Sequence, residues 1–294
     1  MVNEYAQITK KQKTWNIIKK VLTYTFLAIS AFIVIFPFYY MILTSVKSFS
    51  TFTSEVRPSL FTLKPDFSNY VFVFQETTIF KFILNTAIYS IISTALMVVV
   101  CILAAYAFAR LDFRGKDILF TLFLSLMIIP NELVIITNYV TIVNVPLIHA
   151  DLRNTFIGLI APSIMSIFYV YLLRQNFMQI PDEYYYASKV DGTSDFKYLW
   201  KVVIPLAKPT IISIIILKLI ECWNAYVWPR LISTQKSHYL ISNALQEIKE
   251  SGFGRENIPG LMAAVVIVSV PILIIFLIFR KQIMTGVSRS GLKG

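Results

Sequence analysis

Lys218, Glu221, Asn224 and Trp228 have the residue types and spacing of a polar recognition face set inside an apolar run. Residues three or four apart lie on one side of a helix, so Lys218 and Glu221 can face each other and the other two continue roughly the same side. An ammonium, a carboxylate, an amide and an indole can hydrogen-bond a polar molecule and cover an apolar face of it. Ionisable groups within a membrane span are costly, and they mark a substrate path or a buried pair. Both readings fit here: a lining of a polar path, or a neutralised pair that locks helix packing. A second polar island, Pro130-Asn131-Glu132, interrupts another apolar run. It reads either as a helix break at a cavity wall or as an interhelical hydrogen bond. Nothing accompanies these groups that would make an enzyme. Cys101 and Cys222 sit in apolar runs as packed thiols, without metal-ligand or disulfide spacing, and His149 and His238 stand alone in loops.

The elements that must position these groups are membrane helices. Hydrophobic residues make up 56% of the 294-residue chain, and the mean hydropathy is +0.67. That excess falls in long continuous runs, and crossing the hydrocarbon core takes about 20 apolar residues in a helix. Charged residues punctuate six such runs: 21–46, 82–109, 118–141, 154–173, 206–232 and 258–279, after an N-terminal tail of residues 1–20. Continuous runs of this length do not fit barrel strands, which alternate and are shorter. The first run is too long for the core of a cleavable signal peptide and follows a lysine-rich tail, so it reads as an anchor. The expected fold is therefore an all-α membrane protein with six transmembrane helices and one membrane domain, residues 21–294.

Six spans place both termini on one side. With the termini cytoplasmic, seventeen Lys and Arg residues fall inside and nine outside, with Lys218 within a span. Positive residues favour cytoplasmic loops, so this orientation is the expected one. The net charge of +11 is explained by that asymmetry and does not point to nucleic acid. Two longer outer segments, residues 47–81 and 233–257, either dock an external partner or simply connect spans.

The inner segment between the fourth and fifth runs, residues 180–205, is too polar to span and too patterned to be a slack linker. The stretch from Ile180 to Pro209 reads IPDEYYYASKVDGTSDFKYLWKVVIPLAKP. Pro181, Asp182 and Glu183 suit a helix start, because proline tolerates the first turn and acids favour the positive end. Asp191-Gly192-Thr193-Ser194 reads as a break, with Gly192 free to take positive φ and Thr193 or Ser194 able to cap the next helix. Phe196, Leu199, Trp200 and Val203 then repeat as one apolar face of a short second helix, and Pro205 and Pro209 mark the return to the membrane. A helix–turn–helix against the cytoplasmic surface is expected, either docking a partner or lying alone at the lipid interface.

This loop resembles that of the permease subunits of binding-protein-dependent ABC importers, in which Glu-Ala-Ala, then Asp-Gly, then Leu-Pro or similar recur. Aligned on Asp191-Gly192 and Ile204-Pro205, the family's Glu-Ala-Ala falls on Tyr186-Ala187-Ser188, so its glutamate is missing and Glu183 lies one turn earlier. FPFYYMILTSVKS at 36–48, NTAIYS at 85–90, LAAYAFARLDFRGK at 103–116, RQNFMQIPDE at 174–183 and the terminal GVSRSGLKG at 286–294 extend the resemblance over almost the whole chain after the tail. The last of these is similar to carbohydrate-importer permeases. The resemblance implies the type I ABC importer permease fold, of the smaller maltose-transporter subunit type. It also implies an ATPase-coupling role for Glu183, Tyr186, Ala187, Ser188, Asp191, Gly192, Phe196 and Pro205. Implied partners are a second permease subunit in a heterodimer, two ATPase subunits, an extracellular or periplasmic solute-binding protein, and membrane lipid.

On this reading the chain is a non-catalytic subunit in a bacterial-type plasma (inner) membrane, moving a sugar, oligosaccharide or related polar solute. No glycine-rich stretch ends in Gly-Lys-Ser or Gly-Lys-Thr, so the chain carries no cofactor, and ATP and Mg belong to the partner ATPase. The rival is an ATP-independent secondary transporter or channel, which would call for an acidic relay and no specialised loop. A membrane enzyme would need a nucleophile–base or metal cluster near one interface.

Overall fold

The computed structural model describes residues 2–146, 149–250 and 257–291, and side chains only between residues 12 and 282. The side chains of the terminal GVSRSGLKG motif, and residues 251–256 of the outer 233–257 segment, therefore lie outside the described residues. Among the described residues every regular element is helical. The chain divides into two compact units, Met1–Glu76 with Ser251–Val266, and Thr77–Glu250 with Ile267–Gly294.

In the first unit, α1 (Val2–Ser45) is a single helix that takes in the basic tail and the first apolar run. Its 44 residues extend about 66 Å at ~1.5 Å per residue, well beyond the bilayer core. Its large apolar side chains, Phe26 and Phe32 among them, are exposed all round, which suits lipid and not water. After it come α2 (Phe49–Ser54), capped by the Ser48 hydroxyl, and α3 (Ser68–Glu76). A buried lysine ties this short segment together. The Lys47 ammonium donates to Glu55 Oε2 at 2.9 Å, Ser59 Oγ at 2.8 Å and Ser59 O at 3.1 Å. Asn69 Nδ2 donates to the carbonyls of Ser45 and Lys47 at 3.0 and 2.8 Å, which fastens α3 to the end of α1. The Ser59 hydrogen bond, and then Lys47, hold the Glu55 carboxyl down at about 2.

In the second unit, α4 (Ile79–Arg110) is the central span. It is followed by α5 (Lys116–Ser125), a 3₁₀ turn, and α6 (Asn131–Val143), whose axes differ by 104° across Pro130. Proline has no N–H to donate and sits at the N-cap of α6, so the break falls in the middle of the third expected span. The fourth span is also broken: α7 (Phe156–Ile160), a 3₁₀ turn and α8 (Ile167–Met178) bend by 50°, and α8 continues past Leu173. Next come α9 (Asp182–Val190), α10 (Asp195–Tyr198), α11 (Ile204–Trp223), α12 (Val227–Ile232) and α13 (Ile241–Glu250). The closing helix, α14 (Ile258–Gly291), has residues in both units. Among the described residues, four helices are long and apolar enough to cross a membrane, or up to six with each bent pair taken as one span.

The core of the second unit is the packing of α4, α8 and α11 on one another. Between membrane helices packing is driven less by the hydrophobic effect than by close fit, and small residues permit the approach. Cys101 and Ala105 of α4 and Ala207 of α11 are fully buried beside Val170, Leu173 and Phe177 of α8.

Two expectations change at the fifth span. Its helix does not begin after Pro205. It runs unbroken from Asp195 through a π turn, Leu199–Val203, into α11. The Ile204 N–H reaches back to Leu199 O, and this wider turn accommodates the Pro205 ring, whereas Pro209 lies inside α11 itself. At the other end the helix stops at Trp223 and not at Ile232, because Asn224 closes it and α12 starts separately.

Candidate functional site

Helix α9 follows α8 after a turn at Pro181, with Asp182 and Glu183 in its first turn at the positive end of the helix. Arg110, in the last turn of α4, grips this junction. Its Nη2 donates to the carbonyls of Phe177, at 2.8 Å, and Ile180, and its Nη1 pairs with Asp182. A planar guanidinium presents its donors as a rigid fork, whereas a lysine ammonium is a compact point donor on a flexible stem. Arg174 of α8 reinforces the contact, donating from Nε to Phe108 O at 3.1 Å with its guanidinium 4.0 Å from the Phe120 ring centroid.

The exit from α9 is a Schellman turn. Gly192 N–H donates to Lys189 O at 3.0 Å, and Thr193 N–H to Ser188 O at 2.9 Å. Gly192 has φ +68°, the left-handed region that glycine enters without a Cβ penalty. The Ser194 hydroxyl caps α10, accepting from Lys197 N–H at 3.4 Å. Asp195 then gathers three donors on one oxygen. Tyr106 of α4 approaches Oδ1 at 3.2 Å, and Tyr185 and Lys189 of α9 each approach it at 3.0 Å. The Asp195 hydrogen bond raises the Lys189 ammonium above its usual range, and burial raises the Tyr185 phenol.

The four apolar residues expected on one face of the second helix divide between two. Leu199 and Val203 are buried with Tyr198 in the core against α4 and α8. Phe196 and Trp200 point outward, with ring centroids 6.1 Å apart. The i, i+4 pair faces away from the i+3, i+7 pair because the π turn shifts the register and Tyr198 takes the inner position. Of the three residues at the family's Glu-Ala-Ala positions, Tyr186 is 66% exposed, Ala187 is exposed, and Ser188 is buried with its hydroxyl donating to Tyr185 O at 2.7 Å. Glu183, Asp191 and Pro205 are exposed. The outward surface of the loop thus carries Glu183, Tyr184, Tyr186, Val190, Phe196 and Trp200.

The polar residues of the fifth span do not form one continuous stripe. Lys218 Nζ donates to Glu221 Oε1 at 2.8 Å, with the lysine side chain 4% exposed and the carboxylate 58%. Asn224 turns back to donate to Ile220 O at 2.9 Å as the helix ends. Trp228 belongs to α12, and its Nε1 donates to Gly158 O and Leu159 O, each at 3.2 Å, so it anchors α12 to α7. Glu132 is exposed in the first turn of α6. Sequence reasoning missed Arg110, Tyr106 and Asp195 as loop fasteners and Lys47 as a buried centre. Arg110 and Lys47 read only as charges at span ends. Their partners at Asp182 and Glu55 carried no local pairing signal.

Residues 97–289 match the family described as binding-protein-dependent transport system inner membrane component. The chain is 27% identical to the arabinooligosaccharides transport system permease protein AraQ of Bacillus subtilis, over 95% of this chain and 98% of that protein. It is 25% identical to the diacetylchitobiose uptake system permease protein NgcG of Streptomyces coelicolor, over 92% of this chain and 87% of that one. Its fold matches a chain in the crystal structure of a bacterial ABC transporter involved in the import of the acidic polysaccharide alginate. The TM-score is 0.79 at 22% identity, covering 90% of this chain and 96% of the other. The expected all-helical importer-permease fold is the fold found, and the chain belongs to the family of inner membrane components of binding-protein-dependent transport systems.

Proposed function

We propose that this chain is one of two permease subunits of an ATP-driven importer for an oligosaccharide or related polar solute, and that the 180–205 loop docks an ATPase subunit. The single observation that carries the coupling reading is the built character of this loop. It is fastened to α4 at Arg110 and Tyr106, closed by a Schellman turn at Gly192, and yet presents aromatic and acidic side chains outward from α9 and α10. Kinship with permeases named for arabinooligosaccharide and diacetylchitobiose uptake supports a carbohydrate substrate. The absence of a phosphate-cradling motif from the sequence supports ATP hydrolysis on another chain.

In this reading a solute-binding protein delivers the solute on the outer side. ATP-driven closure of the ATPase pair then moves the loop, and the helices joined to it reorient the path. Both termini and the loop lie in the cytoplasm, and the 47–81 segment lies outside.

The test is reconstitution in proteoliposomes with the second permease, the ATPase and the binding protein. Uptake should require all of them and hydrolysable ATP. Uptake by the permeases alone, driven by an ion gradient, would instead establish a secondary transporter. Orientation has its own check: a cysteine at Ser68 should react with an impermeant thiol reagent in intact cells, and one at Ser194 should not.

A further inference from the structure

Tyr106 and Arg110 stand one turn apart on α4, so their side chains leave the same side of that helix. They hold opposite ends of α9. Arg110 binds the N-terminal end through Asp182 and the carbonyls of Phe177 and Ile180. Tyr106 binds beyond the C-terminal end, at Asp195, whose Oδ1 also takes Tyr185 and Lys189 from α9 itself. The fully buried Tyr198 ring fills the space between, 6.5 Å from Tyr106 and edge-on to Tyr185 at 5.3 Å. A loop that only joined α8 to α11 would need no bonds to α4. Yet α4 is not the next helix in the chain on either side of the loop, and it receives the bonds at both ends of α9.

Resting on the coupling reading above, we propose that Asp195 is a positioning residue that locks α9 to α4, so that any displacement of α9 drives α4 directly as well as α11. Without this carboxylate α9 keeps its N-terminal clamp but can pivot about the Gly192 turn. The motion imposed by the ATPase is then absorbed within the loop. Coupling between distant sites needs an element that moves as one body, and three donors on one acceptor supply that rigidity here.

The experiment counts solute imported per ATP hydrolysed in proteoliposomes holding the complete transporter, alongside co-purification of the ATPase. Asp195→Asn keeps the side-chain size and removes the charge that Lys189 and both tyrosines share. The proposal expects wild-type co-purification, continuing ATP hydrolysis, and a fall of about fivefold or more in solute imported per ATP. Tyr106→Phe, which deletes one donor and keeps its ring against Tyr198, should give a smaller fall of the same kind, and it decides the matter if Asp195→Asn does not reach the membrane. A wild-type ratio in these variants overturns the proposal. So does loss of ATPase co-purification in step with uptake, since Asp195 would then merely build the docking face. Gly192→Val separates the two levels. If that variant binds the ATPase and transports normally, the coupling reading itself falls. If it fails while Asp195→Asn keeps its ratio, only the lock is wrong.

Discussion

Arg110 Nη2 donates to the carbonyl oxygen of Phe177 across 2.8 Å, which joins the last turn of α4 to the end of α8 although the two lie 67 residues apart in the chain. The same guanidinium reaches Ile180 O and Asp182, so one side chain sets where α9 begins. Hydrogen bonds to charged groups contribute about 1.5–3 kcal/mol each, and lysine cannot reproduce the fork. Arg110→Met should therefore lower the melting temperature of the purified permease and speed tryptic cleavage after Lys189, and Arg110→Lys should recover only part of the loss. An unchanged melt and digest for Arg110→Met would show that the clamp is dispensable.

Gly192 has φ +68° and open space around the position of a Cβ, so substitution there is limited by the backbone and not by a clash. The left-handed conformation costs an L-residue about 1–2 kcal/mol, and a β-branched side chain suffers most. Gly192→Val should leave the protein in the membrane, weaken ATPase co-purification and abolish uptake. Gly192→Ala should be intermediate. Co-purification and radiolabelled uptake measure both.

The all-helical fold was legible because lipid leaves a chain little choice: long apolar runs must be helices. What sequence could not show is where the chain departs from a straight rod. The apolar run continues past Asn224, but the helix does not, because the asparagine amide turns back to Ile220 O. The Phe196–Val203 repeat looked like one face until the π turn split it. Gly192 was readable from its neighbours, since a Schellman turn is local. The Asp195 cluster was not, because its anchor, Tyr106, lies 89 residues away.

The Lys47–Glu55–Ser59 cluster makes the 47–76 segment sensitive to acid. The Glu55 carboxyl titrates at about 2 in the folded segment against an ordinary 4.5, so the unfolded segment binds the proton more readily between those values. Stability from this carboxylate is complete above pH 4.5 and is lost as pH falls through about 2. Limited proteolysis of the segment should therefore accelerate across that window. Glu55→Gln should be cut faster already at neutral pH, with a flatter acid response. Identical pH profiles for the two proteins would exclude the cluster as the cause.

For the fifth span, the buried member of the pair is Lys218 and the exposed one is Glu221. Removing only Glu221 leaves a buried ammonium without its counter-charge, which is destabilising, whereas removing both charges avoids that penalty. Glu221→Gln should thus reduce the amount of assembled transporter more than Lys218→Met with Glu221→Gln. If the exposed carboxylate lines the path, the double variant should assemble and still transport poorly. Preserved uptake with unchanged substrate affinity would leave the pair a packing device.

The central claim is that the outward face of α9 meets the ATPase. Tyr186 occupies the position of the family's glutamate and is 66% exposed, so it is the most informative place to look. A photoreactive phenylalanine analogue at Tyr186 should, on illumination of membranes containing the assembled transporter, give a covalent permease–ATPase adduct. The same analogue at the exposed Phe26 within the first span should give none. An active transporter that yields no ATPase adduct from position 186 would contradict the account.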